Sequence, residues 1–305
     1  MSAVTVTPAT PTVRVGVARP SFIGMVRGEL FKIARSWVTW ILAVLLCGAI
    51  TLPALVSLTL QGAALKEAPL FFLYRHGEAG LAIVRVFGGA FMIIITARVF
   101  GIEYGYGTIR ILLARGIGRM RLLGAKLAAV GIVAAVMLAV GFALNYVLML
   151  LVVLGLTGNL NAMQTASPQF WSDIRLYALV VIISTVVVTL MAMGVTVLGR
   201  SLAIGLSVGM CWFLADNILA ELLSFVNIIT HQDLWKNITA YLLGPNLNMM
   251  APELLPRAFG NPALTIGAHP AIPVDGTHTL VVTALYGAIF LVTTIVLLWR
   301  RDVTE

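Results

Sequence analysis

Charged side chains interrupt the long apolar runs of this chain at Arg85, Arg98, Asp216 and Glu221. An ionised side chain at the centre of a lipid-spanning helix costs on the order of 2.5–3.5 kcal/mol, so it normally faces protein or water. Two roles follow: a carboxylate there can bind a proton or a cation, and a cation can pair with a carboxylate. Arg85 and Glu221 lie at similar predicted depth and could form an ion pair, whereas Arg98 lies near a span end and can extend to the interface.

The composition indicates the class of protein in which these charged residues lie. Of 305 residues, 60% are hydrophobic and only 10% are charged, with a mean hydropathy of +1.01. Soluble domains are about 25% charged. The composition therefore excludes a soluble enzyme, a disordered chain and a secreted disulfide scaffold, and predicts an all-α polytopic membrane protein.

Six runs are long enough for the roughly 20 apolar residues that cross a bilayer core. They are 37–60, 82–100, 127–154, 176–198, 202–226 and 279–299. Residues 1–20 are predicted to be a disordered tail and 21–36 an amphipathic interfacial helix, ahead of a transmembrane domain over 37–301 and a short tail over 302–305. The outer loop 227–278 is Pro-rich, and 234–243 and 252–259 are predicted to form short helices at the outer interface.

The basic residues orient this bundle. With both termini inside, thirteen Lys and Arg residues fall on the inner side and five on the outer side, counted without Arg85 and Arg98. Positive residues accumulate on the cytoplasmic side of membrane proteins. The net charge of +8 thus reads as a topology signal and not as a nucleic-acid footprint. We expect a multi-pass protein of a bacterial cell membrane with cytoplasmic termini.

Helical spacing groups the span residues. At about 100° per residue, Phe87, Phe91 and Arg98 share one arc of the second span. Met210, Asn217 and Glu221 share one arc of the fifth, from which Asp216 points away. Ordinary helix packing explains such arcs equally well, with Asn217 or Asn145 as an interhelical hydrogen-bonding group.

The inner loop 101–126 carries the most specific pattern. Thr108 after Gly107 is a plausible helix N-cap, and Ile109, Leu112 and Leu113 then form an apolar ridge between basic residues. A short helix with such a ridge suits docking to another protein. A loop that is basic only for topology is the alternative, although topology does not require the ridge.

This loop resembles the signature region of ABC-2 type permeases, the membrane subunits of one class of ABC transporters. The matching positions are Glu103, Gly107, Thr108, Arg110, Leu112, Leu113, Arg119 and Lys126. The resemblance implies the ABC-2 (type V exporter-like) fold. It also implies that 108–115, ending at Arg115, is a coupling helix seated on a separate ATPase, with Glu103 and Arg119 as struts.

The resemblance further implies a solute path along spans two and five at a dimer interface. Phe87, Phe91, Met210, Asn217 and Glu221 become its candidate residues. The chain has no P-loop motif, so we predict no catalytic residue, no metal site and no cofactor here. ATP and Mg would be bound by two copies of the ATPase partner.

The sequence therefore predicts an exporter subunit for a lipophilic or amphipathic solute, such as a drug, antibiotic, peptide or lipid. A second permease, identical or different, and membrane lipids would be its other partners. Two alternatives remain open: a secondary transporter coupled through Asp216 or Glu221, and a non-transporting immunity protein.

Overall fold

The long helices follow directly from the apolar runs. The structure is a computed structural model that describes residues 21–60, 62–106, 118–255, 264 and 266–300. Within these residues it contains six helices that are long and apolar enough to cross a membrane. They are α2 (Trp37–Leu60), α4 (Pro69–Gly105), α5 (Arg119–Thr157), α6 (Pro168–Gly199), α7 (Leu202–Thr230) and α10 (Gly276–Arg300).

Shorter helices complete the described chain. The interfacial helix α1 (Phe22–Ala34) begins at Ser21, whose side chain accepts a hydrogen bond from the Gly24 N–H and so caps the helix. The others are α3 (Gly62–Glu67), a 3₁₀ turn (Asn161–Thr165), α8 (Asp233–Thr239) and α9 (Leu243–Leu254). The all-α prediction and the six spans are confirmed.

Two helices form the centre of the bundle. About two-thirds of the most apolar stretch of both α4 and α6 is buried, against 18–28% for the other four long helices. The main core lies between α4 and α6, with Leu81, Ile93, Val181 and Met191 among its buried side chains. We refer below to the end of the bundle that carries α1 as the α1 end, and to the opposite end as the α8 end.

Two of the predicted spans, 82–100 and 127–154, are shorter than the helices that contain them. At 37 and 39 residues, α4 and α5 are about 55–60 Å long, well beyond the bilayer core of about 30 Å. Both extend into the predicted loop 101–126, since α4 ends at Gly105 and α5 begins at Arg119. The predicted tails 1–20 and 302–305 lie outside the described residues.

The predicted outer loop is also wrong in part. The expected helix over 234–243 is broken after Thr239, and Pro252 lies in the last turn of α9 instead of starting a helix. Nor does α9 lie at the interface. Leu243, Leu247 and Met250 are buried in the main core, because their i, i+4, i+7 spacing forms an apolar face that packs on the spans.

A hydrogen bond shows how deep in the bundle α9 begins. The N–H of Gly244, at the start of α9, donates a hydrogen bond to Asp216 Oδ2. Asp216 lies near the middle of α7, about 21 Å from the Thr230 end at 1.5 Å per residue. The chain therefore leaves α7, turns back through α8 and brings α9 to mid-bundle depth as a re-entrant helix.

Candidate functional site

Four charged side chains meet at the α1 end and are called the charge cluster here: Glu29 and Lys32 from α1, Glu103 from α4 and Lys126 from α5. Lys32 Nζ lies 2.7 Å from Glu29 Oε1 and 3.0 Å from Glu103 Oε1. Lys126 Nζ lies 3.2 Å from Glu103 Oε1 and 3.6 Å from Glu29 Oε2. Each cation thus touches both carboxylates, and the cluster ties three helices together.

Three of the four side chains in the charge cluster are buried. The side chains of Glu29, Glu103 and Lys126 are only 5–8% exposed, whereas that of Lys32 is 59% exposed. Lys126 also donates a hydrogen bond to the Val99 carbonyl. Partial burial opposes the charge on Lys32, but its bonds and attraction to Glu29 and Glu103 prevail and raise the pKa of Lys32 above its usual 10.5.

The charge cluster lies at the base of the predicted coupling segment. Glu103 is in the last turn of α4 and Arg119 is the first residue of α5, where its side chain is half-buried. The predicted coupling residues Gly107, Thr108, Ile109, Arg110, Leu112, Leu113 and Arg115 lie outside the described residues. Of the two predicted struts, Glu103 and Arg119, Glu103 belongs to the charge cluster, where its Oε1 lies 3.2 Å from Lys126 Nζ.

A second group of polar residues lines a cavity of about 220 Å³ among α4, α6, α7 and α9, called the polar cavity here. Its polar lining consists of Arg85, Ser184, Asp216, Asn217 and Asn248. Its apolar walls include Val188 and Met191 of α6. Charged and apolar side chains therefore face the same partly open cavity, at the depth of the middle of α7.

Arg85 is held in the polar cavity by neutral groups. Its Nη1 donates to Asn248 Oδ1 at 2.8 Å and its Nη2 to the Ile266 carbonyl at 2.9 Å. Within the described chain Arg85 forms no ion pair, so the possible pair with Glu221 is not formed. Because α9 and the segment after it fill the space beside Arg85, the guanidinium reaches their oxygens first.

Asp216 is held by the start of α9. Its carboxylate accepts the Gly244 N–H, and the positive end of a helix dipole favours a negative charge at this position. Asp216 is 8% exposed and lines the polar cavity beside Asn217. The expectation that it points away from Asn217 is wrong, because α9 packs across this side of α7 and closes the cavity over both residues.

Asn217 and Asn248 join the walls of the polar cavity. Asn248 Nδ2 donates to Asn217 Oδ1 and to the Ala268 carbonyl, each at 2.7 Å. The backbone turns beside them at Gly267, whose φ of 117° favours glycine. A Cβ at Gly267 would collide with Asn248 and Asn217.

The other predicted path residues do not surround this space. Phe91 is buried in the main core, and Met210 packs partly buried against it. Phe87 is 48% exposed and Glu221 is exposed, so both lie on the outside of the single chain. Of the five predicted path residues, Asn217 is the one that lines the polar cavity.

Two further predictions concern single residues. Asn145 is buried and donates to the Gly77 carbonyl at 2.9 Å, which confirms its interhelical role. Arg98 lies near the α1 end, where it donates to Ser36 Oγ at 3.3 Å and lines a pocket of about 390 Å³ beside the charge cluster.

Sequence reasoning missed several residues of both sites. Glu29 and Lys32 lie in the predicted amphipathic helix 21–36 and were not singled out, although their i, i+3 spacing was a usable signal of a pair. Ser184 has no such signal, because one serine in an apolar span does not mark a cavity. Asn248 was missed because the Pro-rich composition of 227–278 suggested surface structure.

In the part of the chain that the structure describes, six long apolar helices surround buried charged side chains, which is the arrangement of a polytopic α-helical membrane protein. A family model described as "ABC-2 family transporter protein" matches residues 25–216. The match spans well over half of the chain, from α1 to the middle of α7, and includes the whole charge cluster. The chain belongs to the ABC-2 transporter family. We found no match among curated proteins.

Proposed function

We propose that this chain is the transmembrane subunit of an ATP-driven exporter whose ATP is hydrolysed by a separate ABC ATPase. The charge cluster is the observation that carries the proposal. It joins α1, α4 and α5 beside the segment 107–117, so a force applied to that segment would move the three helices together. A loop that served topology alone would not need two buried carboxylates and a buried lysine at its base.

The coupling role can be separated from docking. The full chain would be co-expressed with a cognate ABC ATPase, and association, ATP hydrolysis and transport would be measured. Replacing 108–115 by a Gly/Ser sequence should abolish association. Glu103→Gln should retain association, because it leaves the docking segment intact, but should lower transport per ATP hydrolysed about tenfold. Association that survives replacement of 108–115 would contradict the proposal.

The exporter would work as a dimer with α7 at or near the interface. The exposure of α7 supports this arrangement. Only 18% of its most apolar stretch is buried, the smallest share among the six long helices, and Ile218 is 67% exposed. Phe87 and Glu221, exposed on the single chain, would then face the solute path between subunits. Lipophilic or amphipathic solutes suit such apolar walls.

A native thiol tests this interface for a homodimer. Cys211 in α7 is exposed and Cys47 in α2 is half-buried. A short thiol cross-linker applied to membranes should give a dimer band for the unmodified chain and for Cys47→Ser, but none for Cys211→Ser. A band that persists in Cys211→Ser would place the contact elsewhere.

The secondary transporter remains the second candidate, because Asp216 lines a cavity at mid-bundle depth. Inverted vesicles distinguish the two. Export by an ATP-driven subunit appears as ATP-dependent solute uptake that survives collapse of the proton gradient. Uptake that needs the proton gradient and no ATP would favour a secondary transporter in which Asp216 is the coupling carboxylate.

A further inference from the structure

The polar cavity contains a cation and an anion that do not meet. Arg85 lies on α4 and Asp216 on α7, both line the cavity, and no ion pair joins them within the described chain. Buried charges are costly unless they are paired. Arg85 has two neutral acceptors and Asp216 accepts a backbone N–H, so neither group has an oppositely charged side chain as its partner.

The lining of the cavity also contains a hydroxyl group without a hydrogen-bond partner. Ser184 is 3% exposed, and its Oγ has no hydrogen-bond partner in the described structure. Thr96 and Thr283 share this property, but neither lines the polar cavity. Buried hydroxyl groups are nearly always hydrogen-bonded. Ser184 is thus a buried hydroxyl without a partner in the lining of a cavity, where a ligand would have room to bond it.

We propose that the polar cavity binds the zwitterionic head of an amphipathic molecule, with its anionic group on Arg85 and its cationic group on Asp216. A purely anionic head would meet Asp216, and a purely cationic head would meet Arg85. A zwitterion satisfies both charges and can bond Ser184 Oγ. This site does not depend on ATP coupling, because binding is a property of the single chain.

The size and walls of the cavity fit this class. The cavity has a volume of about 220 Å³, whereas a single water molecule needs only about 10–15 Å³ of such space, so there is room for a small head group. Val188, Met191 and Leu214 provide apolar surface beside the charges. An alkyl tail can therefore leave the head along apolar side chains, without crossing a polar barrier.

Three short-chain probes test the charge pattern: hexylphosphocholine, hexyl phosphate and hexyltrimethylammonium. Binding to the purified full chain in an uncharged maltoside detergent would be measured by isothermal titration. Hexylphosphocholine should bind most tightly, and Arg85→Gln and Asp216→Asn should each weaken it about tenfold. Hexyl phosphate should weaken in Arg85→Gln and tighten in Asp216→Asn, and the cationic probe should do the reverse.

Ser184→Ala keeps the proposal testable if the charge variants fold poorly. Since Ser184 Oγ bonds nothing in the described structure, its removal should leave thermal stability unchanged or higher while weakening hexylphosphocholine about three- to tenfold. Thr283→Val, which removes another unpaired buried hydroxyl, one that lies on α10 away from the polar cavity, is the matched control and should leave binding unchanged. Equal losses in both variants, or no loss in Ser184→Ala, would overturn the assignment.

The remaining outcomes are also decisive. Equal binding of all three probes, insensitive to Arg85→Gln and Asp216→Asn, would show simple tail adsorption and overturn the proposal. Tighter binding of hexyl phosphate than of hexylphosphocholine would overturn the zwitterion in favour of an anion. Tail-free phosphocholine that binds as well as the hexyl probe would support the zwitterion site and assign it to a water-soluble solute.

Discussion

The charge cluster and the polar cavity use buried charge in opposite ways. In the charge cluster two carboxylates and two lysines touch one another, and the closest pairs are 2.7–3.2 Å apart. In the polar cavity Arg85 and Asp216 are kept apart and are held by amides and backbone groups. Contact between opposite charges fixes helices in place, whereas separation leaves both charges available to a third molecule.

The largest effect is expected at the centre of the charge cluster. Lys126→Met removes the buried cation that touches both Glu29 and Glu103 and leaves two buried carboxylates with only Lys32. Breaking a buried ion pair from one side costs about 3–5 kcal/mol, so the free energy of unfolding should fall by that amount. Unfolding in mixed micelles with increasing dodecyl sulfate measures it.

Lys66→Met is the control for this substitution, because Lys66 is exposed on α3. It should change the free energy of unfolding by less than about 0.5 kcal/mol. Similar losses for Lys66→Met and Lys126→Met would show that the charge cluster does not fix the helices.

The next effect is expected at the wall of the polar cavity. Gly267→Ala places a side chain at a φ of 117° and pushes a Cβ against Asn248 and Asn217. Strain of this kind costs about 1–3 kcal/mol. Gly105→Ala, at a helical glycine with open space around it, should be neutral or stabilising in the same unfolding measurement. If Gly267→Ala were equally harmless, the asparagine contacts would not close the cavity.

A smaller loss is expected for Arg85→Gln, and it sharpens the comparison most directly. The substitution removes a buried cation without leaving a carboxylate that had been paired with it, and glutamine can still donate one hydrogen bond. We expect about 1–2 kcal/mol, less than for Lys126→Met. The same unfolding curves test it, and a greater loss than for Lys126→Met would reverse the distinction between the two sites.

The smallest effect is expected for Lys32→Met, since Lys32 is the exposed member of the charge cluster. Its ion pairs are open to solvent on the lysine side, and solvent-exposed pairs contribute about 0.2–1 kcal/mol and are weakened by salt. Because the folded-state pKa of Lys32 is raised, its contribution should be complete below pH 10.5 and disappear as the pH rises through the raised value. Unfolding at pH 7 and pH 11.5 should therefore show a difference between variant and parent that shrinks at alkaline pH.

How far the sequence predicted this protein depends on whether an element was shaped by lipid or by another helix. Residues 37–60 were predicted to the residue as α2, because the thickness of the bilayer sets the length of an apolar run. The bounds of α4 were missed by more than ten residues at its start. Its first turns are buried against protein at Phe72 and Leu73, so its polar and apolar residues do not mark a lipid boundary.

For the two sites, the sequence identified several of the residues but did not predict which side chains would lie next to one another. Arg85, Asp216 and Asn217 were identified as polar residues within apolar spans, and Glu103 from the resemblance of the inner loop. Their partners depend on α9 and α1, and helical spacing within one span cannot show what a distant helix places beside it. This is why Asp216 and Asn217, adjacent in sequence and 100° apart on α7, were separated in the prediction but line one cavity.

The re-entrant path of α9 has a consequence for the order of folding. Its buried Asn246 and Asn248 make α9 a poor segment to release into lipid by itself, because unsatisfied polar groups there cost several kcal/mol each. Asn246 bonds the Ala240 and Leu242 carbonyls, while Asn248 requires α4 and α7. We therefore expect α9 to enter last, after α10 has been inserted, so that its docking on Asp216 completes the assembly of the bundle.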